Sequence, residues 1–230
     1  MVNIDTVYQK VLVLANKEQR GYITPQEFNL FADQAQKEIF EQYFYDLDQR
    51  LRRPGNSEEY SDIISNLREK IVIFEMMGAI NAGVISIGAG QVFYRLGTVV
   101  ASGNIEVEEV QPNERAYTLN SPLLLPTAKR PTFIRLGGNN IFITPPAAAV
   151  NAIATYTRLP TTPSWGYFVL SGKALHDQSP TKTTHFELHP AEESELVYKI
   201  LKFAGVSMAK LDIMRAGQIQ EQSQQQQEKQ

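Results

Sequence analysis

Apolar side chains recur every three or four residues along most of the first fifty residues, a period that is typical of amphipathic helices. The pattern predicts a short helix over residues 4–16 and a longer one that ends near Arg50. The longer helix has a strong start signal, Thr24-Pro25-Gln26-Glu27, because the Thr24 hydroxyl and the Glu27 carboxylate can each bond the other's backbone N–H. Its apolar stripe is rich in aromatic residues and consists of Phe28, Phe31, Ala35, Ile39, Phe40, Tyr43, Phe44, Leu47 and Leu51.

The pattern changes from about residue 83 to residue 156, where short runs rich in Gly, Pro, Thr, Val and Ile alternate between apolar and polar positions. A period of two is typical of half-buried strands. The segment Gly137-Gly138-Asn139-Asn140 separates two such runs and predicts a hairpin. A weaker helix is expected over residues 61–70, and a helical turn within residues 112–120. The predicted strands are residues 91–100, 104–110, 132–136, 141–144 and 150–158.

Helical character returns near the C-terminus. Residues 171–184 are expected to form a polar loop, and a helix is expected from Pro190, followed by acidic residues that favour a helix N-terminus. A last helical segment over residues 208–219 leads into a Gln-rich arm. Helices followed by strands and again by helices predict an α+β fold.

The predicted architecture has N- and C-terminal helices packed together with an inserted small antiparallel β domain. The N-terminal helical part is expected to be one unit with the C-terminal helices. The predicted parts are residues 1–80 (N-terminal helical part), 81–170 (β domain), 171–184 (loop) and 185–230 (C-terminal helices and Gln-rich arm).

The composition excludes several classes of site. The chain has 230 residues and no cysteine, so a disulfide framework, a thiolate zinc site, an iron–sulfur cluster and a cysteine nucleophile are all ruled out. Its 22 basic and 25 acidic side chains give a net charge of −3, which argues against a protein that coats nucleic acid. Neither a signal peptide nor a membrane-spanning helix is expected. The sequence therefore predicts a globular protein with no cofactor.

Two motifs invite a ligand-binding interpretation that the sequence does not favour. His185 and His189 are four residues apart, as zinc ligands on a helix would be, but their segment is expected to be extended and no third ligand is specified. Gly88-Ala89-Gly90 lacks the third glycine and the following helix of a nucleotide-binding loop. We expect surface histidines and a tight turn between strands, respectively, and no metal site.

No catalytic residue is predicted. The carboxylates Glu106, Glu108, Glu109 and Glu114 are interpreted as a solvated strand face, and His176-Asp177 as part of a loop that would orient a base poorly. The group Arg50, Arg52 and Arg53 is interpreted as favourable charge at a helix C-terminus, with weak nucleic-acid contact as the alternative.

The C-terminal arm is the most informative segment. Residues 218–230 contain eight glutamines and one strongly apolar residue, Ile219, so the arm buries too little apolar area to become ordered on its own. If it is ordered, another subunit or another protein is expected to hold it. The aromatic stripe is interpreted as a core face, with a subunit interface as the alternative. The candidate partner-contact residues are Met208, Leu211, Met214, Ile219, Gln222, Gln225, Phe28, Phe31 and Trp165.

Several segments together resemble the head–tail connector (neck) ring proteins of short-tailed bacteriophages, especially those of crAss-like phages. Two of them follow one another near the N-terminus, two more end the β region, and the last precedes the Glu-rich helix start and the Gln-rich arm. None is a catalytic motif. The segments are residues 15–29 (ANKEQRGYITPQEFN), 32–40 (ADQAQKEIF), 156–160 (YTRLP), 163–165 (PSW) and 186–190 (FELHP).

The resemblance implies a non-enzymatic structural virion protein, assembled in the host bacterial cytoplasm. Twelve copies are expected to close a ring in the neck or tail barrel, bound to the portal protein and to other tail ring proteins. The ring would extend the portal channel, which genomic DNA crosses during packaging and ejection without sequence recognition. A mildly acidic chain suits such a conduit. The alternatives are a low-copy tail-completion or capsid-attached structural protein and, less favoured, a virion-packaged enzyme.

Overall fold

The computed structural model describes residues 1–17, 23–52, 58–146, 151–177, 179, 181–207, 219 and 222–223. The chain is an α+β protein, as its sequence predicts. It divides into two compact units: Met1–Ile73 together with Pro160–Gln230, called the helical unit here, and Phe74–Leu159, called the β unit. The inserted β unit therefore begins about seven residues earlier, and ends about eleven residues earlier, than residues 81–170.

Four helices are described over their full length in the helical unit. They are α1 (Ile4–Lys17), α2 (Pro25–Leu51), α3 (Glu58–Val72) and α5 (Glu193–Ser207). Helix α2 packs against both α5 and α3, and α1 packs against α5. The packing buries one side of each helix, because apolar residues three and four apart lie on the same face. The buried residues of α2 include Phe28, Ala32, Ala35, Ile39, Phe40 and Tyr43.

Helix α2 begins as its sequence predicts. The Thr24 hydroxyl accepts a hydrogen bond from the Glu27 backbone N–H at 3.3 Å, and the Glu27 carboxylate accepts one from the Thr24 backbone N–H at 2.9 Å. Pro25 occupies the first helical position. Because Pro25 has no N–H, this helix start leaves three backbone donors unpaired, and two of them are thereby satisfied.

Helix α5 is also confirmed, and a 3₁₀ turn over Pro190–Glu192 leads into it. The prediction of a polar loop over residues 171–184 is wrong in its first half. There β10 (Lys173–His176) pairs antiparallel with β9 (Tyr167–Leu170). The turn between them places Ser171 and Gly172 at positive φ, a two-residue connection that matches strand twist.

The β unit contains two sheets. The larger is antiparallel with the strand order β2-β1-β8-β3-β4, and the smaller has the order β5-β6-β7, in which β5 and β6 are parallel. One short helix, α4 (Arg115–Asn120), precedes β6. The strands are β1 (Glu75–Asn81), β2 (Val84–Ile85), β3 (Phe93–Ala101), β4 (Ile105–Glu106), β5 (Glu108–Glu109), β6 (Thr132–Arg135), β7 (Ile141–Thr144) and β8 (Ile153–Arg158).

Only one residue separates β4, in the larger sheet of the β unit, from β5, in the smaller sheet. Val107 lies between β4 and β5 and is buried, and its N–H donates to the Val99 carbonyl in the larger sheet. The next residue, Glu108, donates to Pro131 beside the smaller sheet. The predicted strand 104–110 is therefore broken in the middle. Both sheets contribute to one core of Ile80, Ile85, Val99, Ala101, Val107, Phe133, Ile141, Ile143, Ala152, Ala154 and Tyr156.

Strand β1 is the main element of the β unit that the sequence pattern did not predict. It lies within the range expected to be helical, and its inward positions Gly78 and Ile80 are buried. Gly78 is required there, because a Cβ atom would lie 2.4 Å from the Ser86 carbonyl oxygen. The β1–β2 turn places Ala82 and Gly83 at positive φ, a conformation that favours glycine and asparagine.

Candidate interaction surfaces

A buried glutamine joins three segments of the helical unit. Gln36 on α2 is fully buried; its side-chain N–H donates to the Thr161 carbonyl at 2.8 Å, and its side-chain oxygen accepts from the Glu187 N–H at 3.1 Å. The Glu187 carboxylate in turn accepts from the Thr161 N–H at 2.9 Å. Thr161 and Glu187 lie outside the strands, and these hydrogen bonds provide the partners that their backbone groups would otherwise find in a sheet.

A second amide lies two helical turns earlier on the same face of α2. The Asn29 side-chain oxygen accepts from the Trp165 N–H at 2.8 Å, and its amide donates back to the Trp165 carbonyl at 3.4 Å. Residues seven apart share a helix face, so Asn29 and Gln36 form one polar row within an apolar stripe. Asn29, Gln36, Trp165 and Glu187 all belong to the segments from which the sequence predicts a neck ring protein. Their side chains hold the frame of the helical unit together.

Trp165 is the centre of an aromatic cluster. It is 2% exposed, its ring centroid lies 4.2 Å from that of Tyr8, and its indole N–H donates to Asp5 at 2.9 Å. The imidazole of His176 stacks on the indole at 5.4 Å, and its Nδ1 lies 3.7 Å from the same Asp5 carboxylate. The β9–β10 hairpin is therefore held to the helical unit by the tryptophan that it partly covers.

The candidate contact residues fall into two groups. Phe28 and Trp165 are core residues, since Phe28 is fully buried against Tyr8, so neither offers its side chain to a partner. Phe31 is partly exposed. In the C-terminal arm, Ile219 is helical and 66% exposed, and Gln222 is exposed. Met208, Leu211, Met214 and Gln225 lie outside the described residues.

The two histidines of the extended segment have structural roles. His189 accepts the Ala191 N–H and caps the 3₁₀ turn before α5, while His185 accepts the Ile4 N–H at 3.4 Å. In the part of the chain that the structure describes, no three His, Asp or Glu side chains are placed to hold a metal ion. The motif Gly88-Ala89-Gly90 forms a turn, as expected.

The acidic residues near β4 and β5 and the arginines at the end of α2 are the remaining polar candidates from the sequence. Glu106 and Glu108 are exposed on either side of buried Val107, and Glu108 lies 3.9 Å from Arg130. Arg50 lies in the last turn of α2, the position expected from the helix dipole. Arg53 lies outside the described residues.

Asp177 organises the turn that follows β10. Its carboxylate accepts from Lys182 at 2.8 Å and from the Ser179 N–H at 3.1 Å. These hydrogen bonds, that of Lys182 first, hold the pKa of Asp177 below its usual value. The pKa of Glu27 is lowered in the same way by its hydrogen bonds to Thr24. Each carboxylate accepts a hydrogen bond from a nearby backbone N–H, that of Ser179 or that of Thr24, and so stabilises the local backbone.

Three surfaces among the described residues each expose more than one apolar side chain, and further exposed ones, such as Met77 and Leu30, lie elsewhere. The first is the α1–α5 groove, a cavity of about 450 Å³ in the helical unit. Its α1 wall presents Val13, which is 61% exposed, and Leu14, and the Lys10–Glu193 ion pair lies at its edge. The α5 wall consists of Ser194, Val197 and Tyr198.

The second surface lies in the β unit and is called the apolar arm here. It comprises α4 and residues 121–125, which follow α4. No residue of α4 is buried. Tyr117 is 78% exposed and Leu123 is 87% exposed, which is unusual for large apolar side chains in a folded chain. Its remaining exposed members are Leu119, Leu124 and Leu125. The run Leu123-Leu124-Leu125 between two prolines is a signal that the sequence analysis missed.

The third surface is the outer face of the β9–β10 hairpin in the helical unit. The exposed apolar residues of this face are Phe168, Leu170 and Leu175, and Val169 is exposed on the opposite face, which Tyr167 and His176 share. A two-stranded ribbon is marginally stable alone, and this one contacts Trp165 through the stacked rings of Tyr167 and His176. The remaining apolar side chains of the hairpin are available to a partner.

Comparisons with known proteins do not place the chain in a family. No protein-family model matches it, and no curated protein sequence matches it. Among the described residues, none of the helices has both the length and the apolar character needed to cross a membrane.

Proposed function

We propose that the chain is a non-enzymatic structural subunit of a virion, present in many copies that close a ring in the head–tail connector or tail barrel of a short-tailed bacteriophage. The ring extends the portal channel through which the genome is packaged and ejected. The portal protein and neighbouring tail rings are its partners, and DNA passes through it without sequence recognition.

The exposed apolar surfaces carry this proposal. The α1–α5 groove, the apolar arm and the hairpin face differ in sequence, shape and secondary structure. A closed ring is built from heterologous contacts, in which one surface of a subunit meets a different surface of its neighbour. A subunit that also meets rings above and below needs further surfaces. Several distinct apolar patches on one chain suit that arrangement better than a monomer, whose surface rarely exposes such patches.

The buried polar network is the second support. Four of the five segments that carry the family resemblance each contain one of Asn29, Gln36, Trp165 and Glu187, which hold the helical unit together. A resemblance confined to exposed loops would say little about architecture. Here its residues are those on which the frame depends, so a shared frame is the simplest explanation.

The net charge of −3 agrees with a conduit. DNA carries one negative charge per about 1.7 Å of its axis and binds basic surfaces through counterion release. A strongly basic lumen would therefore retain the genome, whereas a mildly acidic subunit lets it pass.

Electron microscopy of the intact particle tests the proposal. We expect this chain to form an annulus on the tail axis, adjacent to the portal or to another ring. Quantitative mass spectrometry of purified particles should give about as many copies of this chain as of the portal protein. One or two copies per particle, or density on the capsid surface, would instead favour a tail-completion or capsid-attached protein and would reject the ring.

A further inference from the structure

The β9–β10 hairpin has two strand edges whose backbone groups point away from it. The Asp177 N–H donates to the Gly166 carbonyl, so these two residues form a hydrogen-bonded pair at the base of the hairpin. Such pairs alternate along an antiparallel ladder with pairs whose N–H and C=O groups point outward. Two residues further on, Phe168 and Leu175 are therefore a bonded pair as well. The outward-pointing residues are Tyr167 and Val169 on β9, and Ala174 and His176 on β10.

These outward groups are unpaired in the part of the chain that the structure describes, where no backbone group of another segment bonds to any of the four residues. A row of unpaired donors and acceptors along a strand is a template for a further strand. The occupant of such an edge must be extended, because the backbone groups of a helix already bond one another. The edges of the hairpin therefore fit a strand rather than a helix.

Strand β9 also lacks the protection that exposed edges usually carry. Native proteins keep other chains away from a strand edge with charged residues or proline. The edge strands β4 and β5 of the two sheets follow this rule, since Glu106, Glu108 and Glu109 are exposed on them. Strand β9 consists of Tyr, Phe, Val and Leu, and Val169 and Leu170 are 65% and 59% exposed. Its edge has the composition of a strand that pairs.

We propose that the hairpins of successive copies of this chain join edge to edge, with β10 of one copy antiparallel to β9 of the next. One register pairs all four residues of each strand. It places Leu175 opposite Phe168 of the partner subunit, and Ala174 opposite Val169 of the partner subunit. A shift by two residues would leave half of each strand unpaired, and a shift by one would place unlike faces together.

The hairpin itself identifies a second copy as the occupant. In this register the face that carries Phe168 and Leu175 continues from copy to copy, so apolar side chains lie beside one another. Lys173 lies opposite Leu170 of the partner subunit, and no like charges meet.

A head-to-tail arrangement satisfies both edges of the hairpin. A two-fold pairing of β9 with β9 would leave the β10 edge of both copies open, whereas repetition around a closed ring leaves no edge unpaired. The contact is heterologous, as a ring requires. This inference rests on the proposed ring function and identifies a contact that joins neighbouring subunits.

Single cysteines test the contact, because the chain has no cysteine of its own. F168C and L175C are prepared as separate full-length chains, mixed and oxidised. Between copies these two positions form a non-hydrogen-bonded pair with Cα atoms about 4.5 Å apart, which is within the range of a disulfide. We expect a covalent dimer from the mixture and none from either variant alone. The matched control mixes V169C with L175C, which lie on opposite faces, and should give no dimer.

Proline substitution tests the backbone pairing itself. V169P removes an outward N–H from β9, and A174P removes one from β10, while the hydrogen bonds within the hairpin remain. Native mass spectrometry should show oligomers for the unmodified chain and for V169A, monomers for each proline variant alone, and a heterodimer that grows no further when the two are mixed. Unchanged Trp165 fluorescence confirms that the hairpin is still docked, since Tyr167 and His176 stack on that indole.

The outcomes separate this inference from the proposed function. A covalent dimer of F168C alone would indicate a two-fold β9–β9 contact and overturn the head-to-tail arrangement. Absence of the mixed dimer at about 1 mM chain, where even a contact with a millimolar Kd forms, would overturn the edge contact altogether. Assembly of V169P that equals that of V169A would also overturn it. An annulus on the tail axis would then keep the ring, built from other surfaces. One copy per particle would reject the ring, whereas the mixed dimer would still support the edge contact.

Discussion

Replacing Gln36 by methionine tests whether the buried amide row holds the helical unit together. Methionine has nearly the same length and retains the apolar contacts of the side chain, but it removes both hydrogen bonds of the amide. The Glu187 N–H, which is buried, then loses its partner. The Thr161 carbonyl, in an exposed residue, is left to water.

The expected loss follows from these two environments. An unsatisfied buried donor costs about 1–3 kcal/mol, and a hydrogen bond exchanged for water about 0.5–1.5 kcal/mol, so the sum is about 1.5–4.5 kcal/mol. For a chain of this size, each 1 kcal/mol lowers the melting temperature by about 2–4 °C. We therefore expect Q36M to lower the melting temperature of the helical unit by about 3–18 °C.

Tryptophan fluorescence is a suitable assay, because Trp165 is the only tryptophan of the chain and lies within the helical unit. The matched control is Q34M, which makes the same change two residues earlier at an exposed position of α2. Exposed substitutions away from special features change stability by about 0.5 kcal/mol or less. Equal melting temperatures for Q36M and Q34M would show that the row does not stabilise the frame.

Four further predictions concern stability. Lys70 forms a 2.5 Å ion pair with Glu192, whose side chain is buried, so K70M should cost about 3–5 kcal/mol and K70M/E192M should recover most of it. T24A should cost about 1 kcal/mol through loss of the α2 cap. The lowered pKa of Glu27 means that its stabilisation, complete above the ordinary pKa of 4.5, is lost as the pH falls through the folded-state pKa. A82N should stabilise the β unit by about 0.5–1 kcal/mol, since asparagine tolerates positive φ.

Urea unfolding measures the free energy of unfolding of each variant. A double variant no more stable than K70M would mean that burial of an unpaired carboxylate is not what destabilises the single variant. E27Q should flatten the acid limb of the stability profile below the ordinary glutamate pKa of 4.5, and a limb of unchanged slope would contradict the role given to Glu27. Because the β unit contains no tryptophan, A82N is followed by circular dichroism; a lower midpoint would show that the turn depends on alanine for another reason.

The elements that local chemistry specifies were predicted well. The start of α2 follows from Thr24, Pro25 and Glu27, which act within one turn, and the β6–β7 hairpin follows from its Gly-Gly-Asn-Asn segment. β1 was missed because Met76, Met77 and Gly78 have weak strand preference, and the strand is stabilised by pairing with β8 more than seventy residues away. The β9–β10 hairpin was missed because its second strand lies in a polar stretch.

The sequence predicted less of the candidate interaction surfaces than of the fold. Periodicity assigns Phe28 to an apolar face, but whether that face meets the core or a partner depends on packing that local spacing does not contain. The bonds of Gln36 join residues 125 and 151 positions apart, so no local pattern reveals them. Leu123 stands in a run that composition alone would place inside the protein, and only the folded chain shows it exposed.

The two ends of the inserted β unit are fastened to each other. The Arg158 N–H donates to the Phe74 carbonyl at 3.0 Å, so the chain enters and leaves that unit through neighbouring positions. Because its two ends adjoin, the inserted unit needs only a short gap between Ile73 and Pro160 of the helical unit. The helical unit should therefore tolerate its replacement by a few glycines, or by an unrelated module of similar end spacing, and the insertion is a natural place for lineages to exchange one module for another.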